Sequence, residues 1–122
     1  MKNFRQEIGK KGENKAIDFL KKKGYQILET NYRTRFGEID IIAEENNDIV
    51  FIEVKTRTNY SFGAPQLAVD LRKQKKIIKT ALNYIKTKNI LNKNFRFDVV
   101  AQIDNNIELI KNAFCCPSKY NF

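Results

Sequence analysis

A chain of 122 residues, 42% of them hydrophobic, forms one domain with a real core, burying well over half of its unfolded surface. Its 23 basic and 14 acidic residues leave a net charge of +9, which favours an anionic partner such as nucleic acid. Histidine is absent and the two cysteines, Cys115 and Cys116, are adjacent, which excludes a disulfide framework, starves structural zinc of ligands and rules out Ser-His or Cys-His catalysis.

The opening residues Met1 to Glu7 carry no apolar signal-peptide core. No apolar run approaches the ~20 residues that span a bilayer, so a cytoplasmic chain without membrane association is expected. Arg5 to Lys23 reads as a helix closed by Gly24, with three lysines suited to a helix C-terminus. Its apolar face is Ala16, Ile17 and Leu20, and Glu13 falls on that same face. A carboxylate turned inward is costly unless paired, although a helix-end residue can also reach solvent or a lysine. Gly9 and Gly12 weaken the helix but permit close approach.

Tyr25 to Asn31 reads as a first strand, and Tyr32 to Gly37 as its link to the second. The second and third strands are Gly37 to Ala43 and Ile49 to Lys55, around a polar turn at Asn46-Asn47. A two-residue loop of the kind this pair favours sets opposite each other positions whose numbers sum to about 93. Asp40 then faces Glu53, Glu38 faces Lys55, and period-two alternation puts Glu53 and Lys55 on one face. Two opposed carboxylates repel unless a proton or cation lies between them, so this is the layout of a small metal site beside a lysine. Both strands are apolar on both faces, as central strands covered by helices would be.

The segment Thr56 to Ala64, with Arg57, Tyr60, Phe62 and Gly63, suits a loop that clamps a strand by phosphate contacts and stacking, or an ordinary surface connection. A turn at Pro65 precedes a long helix from Asp70 to Lys86, buried along Ile77, Ile78, Ala81, Leu82 and Ile85, with Gln74 extending the stripe. Arg72, Lys73, Lys75, Lys76 and Lys79 cover its early turns, either as a solvated face or as phosphate contacts. Asn94 to Ile103 is a strand with Phe95, Phe97, Val99 and Ala101 on one side and Asp98 and Val100 on the other. Asn105-Asn106 turns into a last strand, Ile107 to Ile110, and the tail beyond is peripheral.

Six of the 14 acids lie between Glu38 and Glu53, while the bases crowd into Lys2 to Lys23 and Arg72 to Lys88. An acidic centre in a basic frame suits a cation-dependent enzyme acting on a polyanion. Carboxylate oxygens without nitrogen or sulfur ligands fit Mg²⁺ or Mn²⁺, and phosphodiester hydrolysis is the chemistry such a site best supports. Lys55 would orient water or offset charge in the transition state. Gly-rich nucleotide loops are absent.

Asp40, followed after 12 residues by Glu53-Val54-Lys55, resembles the PD-(D/E)XK nuclease signature. Thr34 to Lys55, with Gly12-Glu13, Phe62-Gly63 and the Lys75 to Tyr84 helix, is similar to the bacterial UPF0102 or YraN-like family of uncharacterised proteins, grouped with Holliday-junction-resolvase-like folds. The resemblance implies an α/β, restriction-endonuclease-like three-layer sandwich, its mixed sheet flanked by helices, in one domain over 1–122 with a core of about 5–113. It implies metal ligation by Asp40, Glu53 and the Val54 carbonyl, a catalytic Lys55, a supporting Glu13 and an accessory Gln74. Ile39 stands where the signature usually has proline. The expected partner is nucleic acid, DNA ahead of RNA and branched DNA included, with Arg33, Arg35, Arg57, Arg72, Lys73, Lys75, Lys76 and Lys79 as phosphate contacts. A homodimer is compatible with this reading. Two alternatives compete with an endonuclease: a binding module of the same fold without catalysis, and plain structural salt bridges.

Overall fold

The computed structural model describes residues 4–57 and 69–115, excepting the side chains of residues 4–11 and of Arg57. The elements run α1 (Phe4–Lys22), β1 (Gln26–Thr34), β2 (Gly37–Glu45), β3 (Asp48–Arg57), α2 (Leu71–Thr87), β4 (Phe95–Ile103) and β5 (Asn106–Phe114). They form an α/β sandwich of three layers, one mixed five-stranded sheet in the order β1-β2-β3-β4-β5 with a helix on each face. Only β3 and β4 are parallel, and α2 makes the crossover between them. The expected clamp loop (Tyr60, Phe62, Gly63, Pro65) and the tail from Cys116 lie outside the described residues.

Local chemistry explains the boundaries. Gly24, at φ 95°, ends α1: its N–H bonds to the Lys21 carbonyl and that of Tyr25 to the Leu20 carbonyl, which the Lys23 N–H also reaches, so carbonyls of the last turn are satisfied. Asp70 caps α2 by accepting from the Lys73 N–H at 2.8 Å, and Asn89, at φ 52°, closes the other end with the Ile90 N–H on Ile85. Asn46 and Asn47 both adopt positive φ, 50° and 68°, the turn that fits the twist of a hairpin. The β2–β3 register therefore runs from Glu45↔Asp48 to Ile41↔Ile52, as the sequence predicts.

The sheet is apolar on both sides. Beneath α2 lie Ile39, Ile42, Phe51, Phe97 and Val99, packed on Ile77, Ile78 and Tyr84. Beneath α1 lie Ile41, Ala43, Val50, Ile52 and Val100, packed on Ala16 and Leu20. β1, β2, β3 and β5 are all longer than expected, β2 and β3 by a few residues at the ends of their hairpin. β1 pairs through Arg33↔Glu38 and Thr34↔Gly37, so the presumed link is mostly ladder closed by Arg35-Phe36. β5 reaches Phe114, which stacks on Phe97 with ring centroids 4.9 Å apart. Among the described residues no helix is long and apolar enough to cross a membrane.

Candidate metal and nucleic-acid site

The site is built where two strands part. β2 stays paired with β1 down to Gly37, but its ladder with β3 ends at Ile41↔Ile52. β3 continues alone beside β4 to Arg57↔Ile103. Ile39 and Ile42 both face α2 whereas Ile41 faces α1, so the alternation of β2 changes phase at Asp40. Asp40 sits in the resulting fork, and its Oδ2 accepts the Val54 N–H at 2.8 Å, replacing a backbone partner that β2 no longer offers.

Glu53 projects from β3 on the face of Phe51, toward α2. Asp40 and Glu53 line one cleft of 520 Å³ together with Glu38, Arg72, Lys73 and Lys76. Asp40 and Glu38 also line a second cleft of 670 Å³ on the α1 side, with Glu13, Asn31, Arg33 and Val54. Asp40 thus serves both faces, whereas the hairpin register alone would have confined it to the face of Glu53.

Electrostatics mark the pair. Burial raises the Asp40 pKa and the charge of Glu53 raises it further, to about 7, against the opposing Val54 hydrogen bond. Glu13 is also raised, by burial and by Glu38, although Asn31 Nδ2 donates to its Oε1 at 2.9 Å. The Lys55 Nζ stands 3.7 Å from Glu53 Oε1, and Lys73 Nζ is nearer, at 2.7 Å. Burial works against the Lys73 charge, but the hydrogen bond and charge of Glu53 prevail and raise its pKa.

The structure therefore brings together Asp40, Glu53, Lys55 and Lys73, with Glu13 across the fork. Glu38 is not carried to Lys55 by the ladder, because β2 has already left β3, and it pairs with Arg33 at 3.4 Å. Gln74 donates to the Val69 carbonyl at 2.8 Å and is not among the cleft-lining residues. Its place on the buried stripe is spent on the approach to α2. Arg35, Arg72, Lys75, Lys76 and Lys79 are exposed, and Arg35 lies 4.9 Å from the Phe36 ring centre. Lys73 was legible only as one base among several. The signal was its position in the first turn of α2, three residues after the capping Asp70.

Among the described residues no three acidic or cysteine side chains form a cage for a metal by themselves. A two-carboxylate site still fits Mg²⁺, which keeps several waters and commonly uses one or two carboxylates plus substrate phosphate. Asp40 and Glu53 meet that requirement, and the raised Asp40 pKa shows how poorly the pair tolerates two uncompensated charges.

Only some acids of the Glu38 to Glu53 stretch line the fork. Glu45 and Asp48 belong to a second cluster around Arg96, whose guanidinium reaches Glu45, Asp48 at 3.2 Å and the buried Asp98 at 3.1 Å. Tyr25 donates to Asp98 at 3.0 Å and the Asn112 N–H does so at 2.9 Å, so the cluster is fully bonded. Glu44 pairs with Lys93 at 2.9 Å.

Residues 12–102 match the family described as Uncharacterised protein family UPF0102. A UPF0102 protein of Persephonella marina is 50% identical over 87% of this chain and 91% of its own length. Relatives from Thermodesulfovibrio yellowstonii and Clostridium botulinum are 56% and 55% identical, each over 88% of this chain, covering 96% and 94% of their own lengths. Extending from within α1 through α2 to the penultimate residue of β4, this similarity means that the chain belongs to the UPF0102 family.

Proposed function

We propose that this chain is a divalent-cation-dependent nuclease of PD-(D/E)XK type that hydrolyses phosphodiester bonds, acting on DNA ahead of RNA. The observation that carries the reading is the Asp40–Glu53 pair in the fork, Glu53 buried and Asp40 partly so, flanked by two lysines and opening to a cleft with basic residues on its rim. Asp40 and Glu53 would hold Mg²⁺ or Mn²⁺, with the Val54 carbonyl as a further donor. The chemistry supplied by a bound cation is Lewis acidity, which polarises a phosphate oxygen and lowers the pKa of water.

The remaining work falls to the chain itself. Lys55, mostly buried on β3, is placed to orient the attacking water and offset charge that grows in the transition state. Arg72 and Lys76 hold phosphates at the mouth of the α2-side cleft. Glu13, fixed by Asn31 and inclined to keep a proton, can hold one on the α1 side of the fork.

A second reading, a binding module without turnover, is favoured by one contact: the Lys73–Glu53 ion pair already neutralises Glu53 without a cation. A cleavage screen over linear, flapped and four-way DNA with Mg²⁺ and Mn²⁺ separates the two. The nuclease reading expects cleavage that disappears in Asp40→Ala and Glu53→Ala and falls by a few kcal/mol of transition-state stabilisation, about 10²-fold, in Lys55→Ala. No cleavage and no Mn²⁺-dependent rise in Tm would leave the binding module as the better reading.

A further inference from the structure

The first turn of α2 is electrostatically upside down. A helix N-terminus carries partial positive charge and favours acids, yet beyond the capping Asp70, whose carboxylate is taken up by the Lys73 N–H, the first turn of α2 holds no acid and begins Leu71-Arg72-Lys73, with Lys75 and Lys76 following. Such an arrangement is tolerated where an anion faces it. For Lys73 that anion is Glu53, whose side chain is only 6% exposed and which needs a cationic partner in so dry a place. Lys73 itself is 42% exposed, against 18% for Lys55. Its ammonium is thus anchored at one end to a buried carboxylate while its stem lies open to the cleft, where Arg72 and Lys76 wait beside it.

We infer that Lys73 is a resident substitute for the catalytic cation: it neutralises Glu53 in the cation-free protein and moves to a substrate phosphate when a divalent ion takes the carboxylates. The inference rests on the metal-site reading above. A divalent ion shared by Asp40 and Glu53 would set like charge against an ammonium now 2.7 Å from Glu53 Oε1. The flexible four-carbon stem lets the ammonium swing outward, and the positive end of α2 drives it toward an anion. Lys55 is far less exposed and remains beside the reacting groups. The same lysine would then couple the two binding events, since ion binding releases a phosphate contact that the cation-free protein lacks.

The test compares wild type with Lys73→Met, and with Lys73→Gln should the first not fold. Mn²⁺ binding is followed by loss of the free-ion electron-paramagnetic signal, and binding of a short DNA duplex is followed against salt with and without Ca²⁺. The expected result is Mn²⁺ affinity raised about tenfold, the equivalent of 1.4 kcal/mol, with a lower Tm in the absence of any divalent ion. The salt slope for DNA should fall by about 0.9, one phosphate contact, only when Ca²⁺ is present. Equal Mn²⁺ affinity in both proteins would overturn the substitute role and leave the metal site standing. Equal loss of slope with and without Ca²⁺ would make Lys73 a constant phosphate contact and overturn the exchange. Loss of Mn²⁺ binding in the variant alone would overturn the substitute role, and failure of both proteins to bind Mn²⁺ would overturn the inference and the metal site together.

Discussion

Asp40 makes the protein's stability depend on pH in an unusual direction. Its pKa rises on folding, through burial first and the Glu53 charge second, to about 7. Between its unfolded value and 7 the native state therefore holds more proton than the unfolded state, and stability falls as pH rises across that window. Below the unfolded value the contribution is level, and above 7 it is level again at its least favourable. Asp40→Asn removes the titration and keeps an oxygen that can accept the Val54 N–H. Its Tm without divalent ions should exceed that of wild type by several degrees at pH 8 and match it near pH 4. Equal melting curves at both pH values would show that the carboxylate pair carries no strain. The charges of Glu53, Glu13 and Lys73 act on Asp40, so the comparison belongs to Asp40 only through the single substitution.

At the level of elements, α1 reaches the fork because it sits unusually close to β3 and β4. A Cβ on Gly12 would lie 2.8 Å from Thr56 Oγ1, and Gln102 Nε2 donates to the Gly12 carbonyl. Glu13 follows directly and is thereby held at the cleft beside Asp40. Gly12→Ala should lower Tm despite the ~1 kcal/mol that alanine gains over glycine in a helix. Adding Thr56→Ala should restore the loss or reverse it, a coupling that a double-mutant cycle reads directly. A loss unaffected by the second change would place the strain elsewhere. The helices and the β2–β3 hairpin were legible because their signals are local: apolar spacing, a capping Asp70, a closing Gly24 and the Asn46-Asn47 turn. Glu13 was legible as an inward acid for the same reason. The far end of β1 was not, since Tyr32-Arg33-Thr34 carries charge and hydroxyl but still completes a ladder with Gly37 and Glu38. The reach of β5 to Phe114 depends on a ring stacked against Phe97, which no local pattern announces.

Across the whole molecule, charge is divided between two ends of β3. Asp48 belongs to the Arg96 cluster and Glu53 to the fork, about 17 Å apart at ~3.3 Å per residue. The sequence shows six acids in one stretch and cannot sort them, because Arg96 and Tyr25 lie 71 residues apart. Folding sorts them: Glu45 and Asp48 join the Arg96 cluster, Glu38 and Glu44 pair singly with Arg33 and Lys93, and Asp40 and Glu53 share the fork, where Lys73 answers Glu53 and leaves Asp40 crowded by its charge. Arg96→Met leaves fully buried Asp98 without its guanidinium, a loss of about 3–5 kcal/mol for a broken buried pair and upwards of roughly 10 °C in Tm. Mn²⁺ affinity of the folded fraction should stay as in wild type, since the two clusters share no residue. A matching loss of affinity would show that the clusters act as one.

The fork has one more consequence, for the backbone of β3. Past Ile52 that strand keeps β4 on one flank and has lost β2 on the other, so a carboxylate, not a carbonyl, shields the Val54 amide hydrogen. Its exchange with deuterium then reports the state of Asp40. The hydrogen should be slow while the carboxylate accepts it, quicken in Asp40→Ala, and change rate when a divalent ion draws on the same oxygens. One amide in the middle of the sheet thus becomes a natural gauge of whether the fork is occupied.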